Sequence, residues 1–244
     1  MSQIFLYGFI TGFSLLAGAA LGILLKFKQK TIANFMAFGS GVLICALTFG
    51  LMEEAFRHGG FDAIIIGFLL GGVIFLIGDY FIIKSGGKSF KRHRLSELDQ
   101  KKASGKAITM GAILDGIPES IALGIAVANN AGTGLLVLIA IVLSNLPEGI
   151  SSITGLKLAG FSKQKIYGLW ALVGLVVFTV VVLSFKFLPQ LDPNNIGILE
   201  AFAGGAILAM LASNLMPEAY EEGGLSVGMA TVLGFLVAFI VSRF

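Results

Sequence analysis

Charge is what this chain has least of. Asp, Glu, Lys and Arg make up 13% of its 244 residues, about half the share found in an ordinary soluble domain. So few charges cannot coat a water-exposed surface, and hydrophobic residues fill 56% of the chain at a mean hydropathy of +0.93. The one cysteine, Cys45, excludes an internal disulfide and reads as packing. No Ser/His arrangement and no HExxH sequence points to hydrolysis. The residues before Asp79, Leu76-Ile77-Gly78, break the Gly-x-Gly-Asp signature of intramembrane aspartyl proteases. An enzyme is therefore not expected. There is no lipidation motif. The first apolar run follows only Met-Ser-Gln, without a basic lead, which predicts a retained helix and not a cleaved signal peptide. The net charge of +3 sits in short loops, where it sets membrane orientation; no nucleic-acid partner is expected.

What fills the chain instead is a series of apolar runs, each long enough to cross a hydrocarbon core of about 30 Å. Eight such spans are predicted, near 4–25, 32–54, 61–83, 107–128, 133–156, 165–187, 196–217 and 224–242. They make residues 1–244 one all-α polytopic membrane domain, and the 33 glycines imply close helix–helix approach in lipid. The one sizeable polar stretch, 85–106, reads as a solvated cytoplasmic loop, with metal sensing by His93 as its minor alternative. Lys26, Lys28 and Lys30, this loop, and Lys157, Lys163 and Lys165 fall in alternate connections. The positive-inside rule places all of them in the cytoplasm, which puts both termini outside the cell membrane. The turn at Asn129–Asn130 and the segment 191–195 are then external.

An internal repeat lies across the chain. Residues 37–60, AFGSGVLICALTFGLMEEAFRHGG, align without gaps on 201–224, AFAGGAILAMLASNLMPEAYEEGG. Identities include Leu-Met, Glu54 with Glu218, and the closing Gly-Gly. The loop assignment runs the second span outward and the seventh inward, so the copies are inverted, as in secondary transporters. Spans 1–3 and 6–8 form the repeated pair, with spans 4 and 5 between them.

Those two central spans carry the unusual residues. The fourth contains ILDGIPESIALG (113–124) and the fifth VLSNLPEGISS (142–152), so a polar-x-x-Pro-Glu pattern recurs at an offset of 29 residues. At about 1.5 Å per residue, Asp115 to Glu119 and Ser144 to Glu148 both fall near the bilayer midplane. An ionisable group there costs at least ~2.5–3.5 kcal/mol. No Lys or Arg lies within these spans to offset it, so a bound cation or protons must. Asp115 and Glu119 share one helix face, as do Ser144 and Glu148, with Asn145 bordering it. Pro118 and Pro147 lack an N–H and free the carbonyls of Leu114 and Leu143. The expected site is an all-oxygen one. The bland alternative makes the prolines kinks and the glutamates protonated contacts between helices.

Other polar residues are candidate ends of a path: Glu53, Glu54 and His58 at the outer end of the second span, and Asn214, Glu218, Glu221 and Glu222 at the inner end of the seventh. Interfacial solvation explains these equally well. Asp79 and Glu200 lie nearer helix ends and read as bland.

Together these residues resemble the ZIP family of divalent metal transporters. Bacterial members typically read His-Asn-x-Pro-Glu-Gly or close variants in the fourth and fifth helices. Here the motifs stand as Asp115-Gly116-Ile117-Pro118-Glu119-Ser120 and Ser144-Asn145-Leu146-Pro147-Glu148-Gly149. The resemblance implies uptake of metal toward the cytoplasm, a homodimer, an elevator-like movement, and Glu119 and Glu148 as ligands. Asp115 stands at the usual histidine position and Asn145 at a position that is often a ligand. The core has no imidazole, and the sixth span lacks the glutamate that completes a second metal position in some relatives. One metal site is expected. The transported ion is zinc, or manganese or iron, toward which an all-oxygen site tilts. No organic cofactor is implied. A non-transporting membrane sensor or scaffold is the rival reading.

Overall fold

The computed structural model describes residues 2–84, 105–129 and 131–243, and every regular element among them is helical. The proposed metal-sensing residue His93, most of the 85–106 loop and Asn130 lie outside the described residues. The helices are α1 (Ser2–Leu24), α2 (Gln29–Ala46), α3 (Glu53–Lys84), α4 (Gly105–Asn129), α5 (Ala131–Leu158), α6 (Lys163–Phe187), α7 (Pro193–Met210), α8 (Met216–Gly223) and α9 (Ser226–Val241). Two π-helical segments, Leu47–Met52 and Leu211–Leu215, join α2 to α3 and α7 to α8.

Among the described residues, six helical stretches are long and apolar enough to cross a membrane. One of them runs for 56 residues, Gln29–Lys84, where the sequence predicts two spans with a break near 55–60. The two predicted spans meet at Gly60, whose φ 62° and ψ −158° are non-helical and need glycine. Before it the chain runs antiparallel to α7, with Leu47 at Gly204 and Gly59 at Gly197; after it the chain runs parallel, with Gly67 at Ile198 and Gly71 at Phe202, so its direction reverses there. The same conformation returns at Gly224 (φ 62°, ψ −144°), where α8 ends before α9. At the start of α6, the Ser162 hydroxyl accepts from the Lys165 N–H.

Side chains that a soluble protein would bury face outward. On α3 alone Ile65, Ile66, Leu69, Leu70, Val73 and Ile74 are exposed. A continuous apolar face of this kind suits hydrocarbon and not water. The chain is a multi-pass helical membrane protein.

The helices pack as two groups. In one, α1 lies against α5 and α6, and α4 against α5 and α6; in the other, α3 lies along α7 and α2 along α9. The groups meet where α2 touches α5 and α4 touches α7. Glycines set the close approaches. A Cβ at Gly18 would stand 2.3 Å from the Leu146 carbonyl, and one at Gly149 2.5 Å from that of Leu15. Gly12 and Gly174 bring the α1 and α6 backbones together in the same way. These contacts run α1 parallel to α5 and antiparallel to α6. The exposed lysines 26, 28, 30, 157, 163 and 165 therefore share one end of the bundle.

Candidate metal-transport site

The two Pro-Glu motifs sit at the middle of α4 and α5, and both helices run on through their prolines. Asp115 and Glu119 are 4% and 3% exposed, and Ser144 and Asn145 are as deeply buried. Glu148 is half-buried. The Ser144 hydroxyl donates to Glu119 Oε1 at 3.2 Å, so the two motifs touch through one residue from each. The charges of Glu148 and Asp115 both act on Glu119, which makes the three carboxylates one electrostatic unit. Repulsion within such a unit, far from water, is what a divalent cation would relieve.

Two expected donors point elsewhere. The Asn145 amide donates to the Ser14 hydroxyl at 3.2 Å and reaches toward the Thr11 carbonyl at 3.5 Å. It therefore ties α5 to α1, while its carbonyl oxygen is the atom left to serve as a ligand. The Leu143 carbonyl freed by Pro147 lies against Gly39 of α2, where a Cβ would stand 2.8 Å away. Gly39, with no Cβ, lets α2 come close to that carbonyl. Among the described residues no three His, Cys, Asp or Glu side chains stand close enough to hold one ion.

The candidate path ends behave unequally. Glu53 and Glu221 are exposed, and Glu222 is half-buried. Glu54 accepts from Arg57 at 3.1 Å. Glu218 accepts from Ser151 of α5 at 2.8 Å, and Asn214 is buried in the second π segment. His58 stands 2.9 Å from Glu200 through Nδ1.

Glu200 was passed over in the sequence reading. It is 1% exposed, with Oε1 accepting from Asn129 Nδ2 at 2.7 Å and Oε2 facing His58. The signal was a lone acid inside an apolar run. Thr11 and Ser14 were also missed, although both are polar, three residues apart and on a helix otherwise apolar at that depth.

No family model matches the chain. It is similar to a protein of Arabidopsis thaliana named "putative zinc transporter", at 28% identity over 196 residues. The match covers 78% of this chain and 30% of that protein, so the chain spans less than a third of the relative's length. The motifs that resemble the ZIP family thus stand in a multi-pass helical membrane protein whose sequence is similar to that of a protein named as a zinc transporter.

Proposed function

We propose that the chain carries divalent metal ions, zinc with manganese or iron as alternatives, across the cell membrane toward the cytoplasm. The ion is bound midway by Asp115, Glu119 and Glu148, with Ser144 and the Asn145 carbonyl as neutral donors. The observation that carries this reading is the burial of Asp115 and Glu119 at mid-helix beside Glu148, with no Lys or Arg in α4 from residue 109 on or in α5 before Lys157. A buried cluster of like charges must be neutralised by a counter-charge or by protons. The carboxylates have yet to converge on one point, so binding draws α4 and α5 together around the ion.

Eight spans with inverted outer triplets and external termini complete the proposal, in a homodimer. Support for the repeat comes from position-by-position likeness. Leu47 and Leu211 begin the two π segments, and Gly60 and Gly224 both hold positive-φ turns, each pair at the same place in the aligned copies. The packing matches as well. A Cβ on Gly41 would stand 2.0 Å from the Thr231 carbonyl, and one on the equivalent Gly205 2.0 Å from that of Phe68. Short π segments inside α-helices are frequent at functional sites.

Radiolabelled zinc uptake by proteoliposomes, with manganese and iron as competitors, tests the reading. Saturable uptake competed by the other divalent ions is expected. Saturable binding without accumulation inside the vesicles would favour a sensor or scaffold.

A further inference from the structure

Beyond the α4–α5 carboxylates, Glu200 is the most deeply buried acid among the described residues, at 1% exposed. Its two oxygens are engaged by two other helices: Asn129 Nδ2, at the end of α4, donates to one at 2.7 Å, and His58 Nδ1, on α3, faces the other at 2.9 Å. Glu54 of α3 is near enough for its charge to act on Glu200, and Arg57 pairs with Glu54.

Packing alone does not require a carboxylate at this place. One residue before the aligned repeat, position 200 corresponds to Met36, which is buried to a similar degree at 3% exposed. The fold therefore seats an apolar side chain there in one copy and a costly acid in the other. What distinguishes the Glu200 copy is its partner Asn129, which belongs to the other group of helices. The bond from Asn129 to Glu200 crosses between the α1/α4/α5/α6 group and the α2/α3/α7/α9 group. Glu200 is buried but Asn129 is exposed, so this directional bond can be exchanged for water and suits a joint that opens.

We propose that Glu200, His58 and Asn129 form a clasp that holds the Asn129 end of α4 onto α3 and α7, and so controls access to the α4–α5 carboxylates from that end. Ten residues separate Asn129 from Glu119 along α4, about 15 Å of helix. This end is the outer one in the proposed topology. The consequence for metal entry rests on the transport reading; the clasp itself does not.

Thiol accessibility tests it without metal. Ala126 lies three residues before Asn129, near the same face of α4, and is 3% exposed. Ala126→Cys, in a Cys45→Ala background, reports opening through its rate of reaction with an impermeant maleimide. Glu200→Met copies the other repeat and should fold; Asn129→Ala removes the α4 half of the clasp. Both should raise the labelling rate by about tenfold, the scale set by one hydrogen bond to a charged group. Glu200→Gln, which can still accept from Asn129 and pair with His58, should stay near the parent rate. Parent-like labelling in both Glu200→Met and Asn129→Ala would overturn the clasp. So would a rise in Glu200→Gln equal to that in Glu200→Met, because charge and not the hydrogen bonds would then be at work. Clasp variants that open while the parent protein moves no metal would refute transport and leave the clasp standing.

Discussion

Replacing Gly41 by alanine should destabilise the protein, and replacing Gly205 should do so by a similar amount. A Cβ on either glycine would lie 2.0 Å from a carbonyl oxygen of the neighbouring helix, Thr231 in one case and Phe68 in the other. Ordinary contact begins near 3.4 Å. The obstacle is backbone, so two helices must part by more than an ångström. Overpacking of this kind costs about 1–3 kcal/mol. Gly168 of α6 is the control: it is helical and has no atom within 4 Å of an added Cβ. There alanine should gain up to about 1 kcal/mol from helix propensity. The gap between Gly41→Ala and Gly168→Ala is therefore about 1–4 kcal/mol, or roughly 2–16 °C in Tm for a chain of this size. Cys45 supplies the assay, since its buried thiol reacts with a fluorogenic maleimide only as the bundle opens on heating. If Gly41→Ala or Gly205→Ala melts with Gly168→Ala, the close packing of α2 on α9 and of α3 on α7 is wrong, and the repeat loses its main structural support.

Three further outcomes are expected. In a Cys45→Ala background, Asp192→Cys should label from outside intact cells with an impermeant maleimide and Ser96→Cys should not; the reverse pattern would invert the topology. Asp115→His should shift competitive uptake toward zinc at the expense of manganese, because imidazole nitrogen favours zinc more than carboxylate oxygen does. An unchanged metal ranking would remove Asp115 from the ion's immediate surroundings. Ser144→Ala deletes the 3.2 Å bond to Glu119, and should weaken metal binding by about tenfold with little change in folding; binding equal to wild type would show that Ser144 does not orient Glu119.

The helices were legible in the sequence because apolar runs of spanning length have few other uses. The α4 and α5 motifs stood out for the same reason, since an acid inside such a run is costly wherever the helix packs. Local spacing could not reveal which neighbour each polar group would meet. Asn145 lies beside Ser144 in sequence, yet its amide turns to α1, because Gly18 and Gly149 bring those two backbones into contact. Glu200 looked bland because it lies near a helix end, and its partner His58 lies 142 residues away. Each miss is a tertiary contact that no window of the sequence contains.

Glu119 and Glu148 carry the central claim, and metal uptake into proteoliposomes by Glu119→Ala and Glu148→Ala, each reconstituted at wild-type levels and shown to be folded by Cys45 protection, tests it most directly. Uptake should fall to the protein-free background in both variants. Wild-type uptake by both would show that the buried carboxylates of α4 and α5 do not carry the ion.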